Sequence, residues 1–368
     1  MAKLIEITGK TLSGEWGFDD AEGIGIPVLR TTNFTNEGFV DYQNVVTRII
    51  KKQNISEKFL QSGDIIIEKS GGSDKQPVGR VVYYDGPDNT YLFNNFTGVL
   101  RVKDPSKWYS KYIFYALFTN YWRGGTRRFE NKTTGLHNLK TDDYVGRFEI
   151  AEIPLDQQIC ICNTLDKIHL LIGSRKKQLT KMDDLIKARF VEMFCDEKYE
   201  KKPIKELVDR KIISARKKYS ENERINYIDI SSIDNKANVI IGTTEYFMNK
   251  APSRAQQCIE YGDILISTVR PNLRNIAQNT YSGKGLVASS GFCVLRATEC
   301  NAQFLLYAVL LDDFTNAMVS VTTGANYPAI KNSDVLEYCI PVPPIELQKE
   351  FEEFVEGNAK LKVSVSWI

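Results

Sequence analysis

The feature that most constrains this chain of 368 residues is that it is written twice. Residues 63–67 read GDIII and residues 262–266 read GDILI, 199 positions apart. One such match is weak, because a Gly-Asp turn feeding a buried strand is common. Others recur in step with it. Residues 26–33 (IPVLRTTN) align with 225–232 (INYIDISS) at the same offset, and Val99-Leu100-Arg101 aligns with Val294-Leu295-Arg296 at 195. Tyr115-Ala116-Leu117 aligns with Tyr307-Ala308-Val309 at 192, Thr134-Gly135 with Thr323-Gly324 at 189, and 154–158 (PLDQQ) with 344–348 (PIELQ) at 190. Six anchors in one order, with an offset that drifts by ten, are what a duplicated domain with a few short loop deletions leaves behind.

Each copy begins with short β-branched and aromatic runs broken by Gly, Asn and Asp, which predict strands and turns; VGRVVYY (78–84) and FCVLRAT (292–298) are examples. A helical stretch follows, 111–122 in the first copy and 302–318 in the second, then a Thr-Gly turn, then a helix opened by Pro154 or Pro344, a residue suited to a first helical turn. The expected fold class is therefore mixed α/β (α+β): two tandem domains over 1–152 and 201–342, a long spacer helix over 153–200, and a shorter C-terminal helix over 343–368.

The spacer is the clearest element. From 155 to 194 there is no proline and one glycine, Gly173. A 3,4 spacing from Ile161 through Leu165, Ile168, Ile172, Arg175, Leu179, Met182, Ile186, Arg189 and Met193 is apolar at eight of ten positions, a heptad-like seam. Such a helix would be about 60 Å long at 1.5 Å per residue, which favours a coiled coil over an amphipathic helix lying on one domain. The second helix has a seam in Ile345, Leu347, Phe351 and Phe354, then meets Gly357-Asn358; from Val363 the composition reads as strand.

Composition narrows the function classes. Hydrophobic residues at 42% and aromatics at 11% suffice for packed cores. A net charge of +2 means that any basic footprint must be local. Seven cysteines with no CxxC pair suit a reducing, cytoplasmic compartment. The N-terminus lacks a signal-peptide core, and the longest apolar run, Phe304 to Leu311, is too short to span a bilayer. Two distant histidines, His137 and His169, argue against a His-Cys metal cluster or a His-assisted nucleophile. Residues 70–73 (SGGS) lack the Gly-Lys-Ser/Thr ending of a phosphate loop, and no methyltransferase motif is present. No catalytic residue, metal site or bound cofactor is expected.

What recurs instead are polar, basic loops in matching places. In the first copy these carry Lys69, Ser70, Gly71, Ser73, Lys75 and Arg80, then Arg127, Arg128, Thr134, Gly135, His137, Asn138 and Lys140. In the second they carry Arg216 and Lys217, then Arg270, Asn272 and Arg274, then Thr323, Gly324, Asn326, Tyr327 and Lys331. Arg, Lys, Asn and Ser on glycine-bearing loops can grip phosphates and read base edges. For any single residue of such a loop solvated surface is the better reading; the paired location in two repeats raises the loops as groups, not the named side chains.

With GDIIIEKSGGSDKQPVGR, TTGLHNLKTDDY followed by EIPLDQQ, GDILISTVRPNLRNIAQ, and TTGANYPAIKNSDVLEYCIPVPPIELQKEF, the chain resembles the specificity (S) subunit of type I restriction-modification systems over essentially its whole length. The resemblance implies that each copy is a target-recognition domain reading one half of a split duplex DNA target through the major groove. It implies that the helices pack as an antiparallel coiled coil that spaces the domains. It also implies two methyltransferase (modification) subunits as partners, with restriction subunits able to join, S-adenosylmethionine, ATP and Mg belonging to those partners, and no membrane association. The departure is the second helix, for which only about 20 residues follow Pro344. Two other classes stand beside this reading: a protein-interaction scaffold whose helix is a dimer seam, and an enzyme with an unrecognised carboxylate site. Steep salt dependence would mark the DNA reading.

Overall fold

A computed structural model describes residues 1–133, 136–195, 199–209, 211–324 and 327–366. The chain divides into two compact units, Met1–Ile172 and Gly173–Ile368. In unit 1, four antiparallel strands lie in the order Leu12–Ser13, Thr97–Leu100, Ile65–Glu68, Val81–Tyr83. Unit 2 repeats this as Val208–Asp209, Phe292–Ala297, Ile264–Ser267, Ile276–Gln278. The register of the central pair is also repeated, with Ile65 opposite Leu100 and Ile264 opposite Leu295. A second sheet in each unit contains one parallel pair, Ile26–Leu29 with Leu92–Phe93 and Arg224–Ile228 with Leu286–Ser289.

The repeated pentamer occupies the middle of this arrangement, and its composition follows from its place. Ile65 and Ile67 point into a core built with Phe114, Leu117 and Tyr144, while Ile66 points into another with Leu29, Phe93 and Val99. Ile264 and Ile266 likewise face Phe190, Phe304 and Phe351, while Leu265 faces Ile228 and Phe292. Side chains alternate across a strand, so a strand covered on both faces must be apolar throughout. The preceding Gly63 and Gly262 have φ of 95° and 89°, the left-handed region open to glycine at little strain.

The long helix spans Leu155–Phe194, the proline-free stretch of the sequence and narrower than the expected spacer of 153–200, since Ile153, Pro154 and Cys195 are not helical. In unit 1 its packed positions are Gln158, Cys162 and Leu165, with Lys111 Nζ 2.7 Å and Tyr115 Oη 2.5 Å from Asp166. Ile161, Ile168 and Ile172, three of the first four expected seam positions, are 41%, 47% and 49% exposed. In unit 2 the helix is buried through Ile186, Phe190 and Phe194 and meets the closing helix, Ile345–Ser366, at Phe351 and through the Arg189–Glu350 and Lys362–Asp183 ion pairs.

Two expectations are corrected. The stretch 302–318 is two helices, Ala302–Val309 and Asp312–Ser320, because Leu311 is extended (ψ 151°). The closing helix does not turn to strand near Val363; it continues through Gly357 and Asn358 to Ser366, with the Asn358 amide donating to Phe354 O at 2.9 Å within the helix.

Candidate nucleic-acid interface

The Gly-Asp pairs that open the repeat are framework. Asp64 is 1% exposed; it receives Arg101 Nε and Nη2, both at 2.7 Å, and Gln61 N at 2.8 Å. Asp263, also 1% exposed, receives Arg296 Nε at 2.9 Å, Nη2 at 2.8 Å and Glu260 N at 2.8 Å. The matching glutamines do the same kind of work. Gln158 accepts from Tyr109 N and donates to Lys107 O and Ile153 O, tying the start of the long helix to the start of helix Ser110–Trp122. Gln348 accepts from Asn301 N and donates to Pro343 O, tying the closing helix to the start of Ala302–Val309.

On this frame each unit brings together the two loop segments that the sequence singles out. In unit 1, Ser70–Gly72 pairs with Leu136–Leu139, which pairs with Glu130–Thr133. Gly72 lies opposite His137 and Ser70 opposite Asn138, and Leu139 N donates to Lys69 O at 2.8 Å. The tip, 73–76, is closed by Ser73 N to Gln76 O at 2.7 Å, and Arg127 donates to Asp74 O at 3.2 Å. In unit 2, Ala329 bridges both Val269 and Thr323, Ile330 N donates to Thr268 O at 2.9 Å, and Arg270 N donates to Pro328 O at 2.7 Å.

The named side chains separate by environment. His137 is buried, with Nδ1 2.9 Å from Glu130 Oε2 and Nε2 3.5 Å from Asp74 Oδ1; Glu130 in turn receives Val78 N, so the imidazole is a strut of the hairpin. Arg80 donates to Thr31 O and Phe34 O and lies 3.9 Å from Glu68, whose carboxyl is pushed up by burial against the pull of Arg80. Lys69 is half-buried, and desolvation, aided by Lys58, pushes its amine down. Gly71, Ser73, Lys75, Arg127, Arg128 and Lys140 are exposed; Ser70 and Asn138 are half-buried.

In unit 2, Arg216 donates to Met248 O, Ala251 O and Pro252 O, holding a turn, with Lys217 exposed beside it. Arg274 donates to Asp312 Oδ1 and Leu310 O. Arg270, Asn272, Thr323, Gly324, Tyr327 and Lys331 are exposed, and the Arg270 guanidinium lies 5.1 Å from the centre of the Tyr327 ring. Thr134, Gly135 and Asn326 lie outside the described residues.

The geometry adds residues that the sequence reading missed. A cleft beside the unit 1 tip is lined by Asn36, Lys75, Gln76, Tyr121, Trp122 and Arg127. Trp122, the last residue of helix Ser110–Trp122, is 56% exposed. A second cleft gathers Arg128, Lys140 and Arg147 around Asp143. Cations, an amide and an aromatic face on an exposed concave edge suit a polyanion with flat bases. Among the described residues no group of three or more His, Cys, Asp or Glu is placed to hold a metal ion, and no helix is long and apolar enough to cross a membrane.

Comparison with known proteins gives a consistent result. The family model described as type I restriction modification DNA specificity domain matches residues 1–181 and again 196–356. The type I restriction enzyme MjaVIII specificity subunit of Methanocaldococcus jannaschii is 24% identical over 272 residues, 66% of this chain and 61% of that protein. The chain thus spans 61% of the length of that curated relative. The type I restriction-modification S subunit from M. genitalium shares the fold at TM-score 0.51 and 16% identity, over 99% of this chain and 92% of that one. The HsdS subunit from Thermoanaerobacter tengcongensis aligns at 31% identity over 46% of this chain and 44% of that one, with TM-score 0.41.

Proposed function

Since the chain belongs to the family of type I restriction modification DNA specificity domains, two of which it carries, we propose that it is the DNA sequence-recognition subunit of a type I restriction-modification complex. Each unit reads one half of a bipartite duplex target. The long helix sets the separation of the halves, and the helical segments dock two methyltransferase subunits. Restriction subunits join the same complex. The chain supplies specificity; the methyl transfer from S-adenosylmethionine, and any ATP- and Mg-dependent cleavage, belong to the partners, which work in the cytoplasm.

One observation carries this reading. Both units are built on the same Asp-Arg and Gln fixtures, both hold two loop segments side by side through backbone bonds, and both leave exposed cations on those segments. Exposed cations on paired, anchored loops suit what recognition needs: phosphate contacts that set register and a few side chains that specify bases.

Methylome mapping of cells with and without the chain tests the proposal. A split motif should be methylated only when the chain is present. An unaltered methylome, together with no selective retention of any duplex by the complex and no steep loss of DNA binding between 50 and 200 mM salt, would refute it.

A further inference from the structure

Among the described residues, six that are not glycine have positive φ; four are asparagines, and the other two are Arg270 (φ 51°) and Arg274 (φ 55°). They bracket the turn Pro271–Leu273, whose Pro271 is buried, so the chain pinches on both sides of an anchored proline. The left-handed region is unfavourable for a residue with a Cβ, and asparagine or glycine would meet the same backbone demand with less strain. An arginine in that conformation is therefore held for its side chain.

Arg274 accounts for its place within the protein, because its guanidinium bonds Asp312 and Leu310 O. Arg216 likewise is engaged by three backbone carbonyls. Arg270 differs from both. Its amide is bonded to Pro328 O and its carbonyl to Leu273 N, but among the described residues no carbonyl or carboxylate receives its guanidinium. The group lies instead against the ring of Tyr327, itself 72% exposed.

We propose that Arg270 is a specificity-determining residue, whose guanidinium reads the O6 and N7 edge of a guanine in the half-site bound by unit 2, with Tyr327 orienting the fork. This rests on the DNA-recognition function proposed above. Lysine serves a phosphate as a point charge, whereas an arginine fork makes two parallel bonds, to a phosphate or to the edge of a guanine. A planar fork on a fixed backbone, resting on an aromatic face, is oriented in advance for the more direction-dependent of these contacts, bidentate readout of guanine.

The test uses the full chain with its modification subunits and compares wild type, Arg270→Gly and Arg270→Lys by methylome mapping and thermal melting. Glycine keeps the left-handed backbone and removes the side chain, so its Tm should equal or exceed that of wild type. Arg270→Gly should lose preference at one guanine position in one half of the motif, about ten- to a hundred-fold, Arg270→Lys should lose less at the same position, and the other half should be unchanged. The assignment is overturned if Arg270→Gly keeps the wild-type motif, if the altered half holds no guanine on either strand, or if Arg270→Gly melts several degrees lower, which would make the residue structural. A wild-type chain that directs no split motif fails the recognition reading itself; a wild-type motif that Arg270→Gly leaves intact fails only the Arg270 assignment.

Discussion

Asp64 and Asp263 show how a repeated residue can look functional and act as framework. Each is buried, takes the two-pronged Arg101 or Arg296, and closes the tight turn before the central strand. Removing one partner of such a pair leaves the other charge without its partner, tempered here because Arg101 and Arg296 retain side-chain exposures of 33% and 19%. Asp64→Ala and Asp263→Ala should each lower stability by about 2–4 kcal/mol in urea melts, and Asp64→Ala combined with Arg101→Met should cost less than the two single changes added together. A loss under about 0.5 kcal/mol for either aspartate would mean the pair is a surface ion pair in disguise. The sequence marks these residues through their recurrence but is silent on their partners, since Asp and Arg stand 37 and 33 residues apart in the chain. The same silence hides why Arg274 and Arg80 are engaged within the protein while Lys75 and Arg270 are presented at its surface: the carbonyls and the carboxylate that receive Arg274 and Arg80 are 36 to 49 residues away in the chain.

At the scale of elements, periodicity is legible wherever one face decides. The extent of the long helix could be read from Pro154 and the absence of proline after it, and residues 155–194 are helical throughout. The face was less legible. Within unit 1 the helix is gripped through polar groups, Gln158 to helix Ser110–Trp122 and Asp166 to Lys111 and Tyr115, so its buried stripe is not its most apolar one. The break at Leu310–Leu311 was invisible because apolar residues continue across it, whereas the structure shows Leu310 O turned to receive Arg274. Gly173 sits mid-helix with nothing within 4 Å of where a Cβ would stand. Glycine there costs helix stability relative to alanine. Gly173→Ala should therefore stabilise the protein by about 0.5–1 kcal/mol, read as a higher urea midpoint at unchanged slope; a loss of stability would mean that the helix needs its local give.

At the scale of the whole molecule, duplication was the most legible property, because six anchors in one order survive the loss of nearly all other similarity between the copies. On the proposed function, one helix running from unit 1 into unit 2 is a gauge, and a gauge can be reset without touching what it separates. Four residues added after Ser174 extend an α-helix by about 6 Å and shift its phase by only about 40°, close to the 3.6-residue period. At 3.4 Å per base pair along one strand, the expected result is a motif whose two halves are unchanged in sequence and whose spacer is longer by about two base pairs. Two residues added at the same point shift the phase by about 200° and should abolish methylation at every spacer length. The four-residue variant is the decisive one. If it methylates with the original spacer, the helix is not the gauge; if it alters the sequence of either half, the units do not read DNA independently of the element between them.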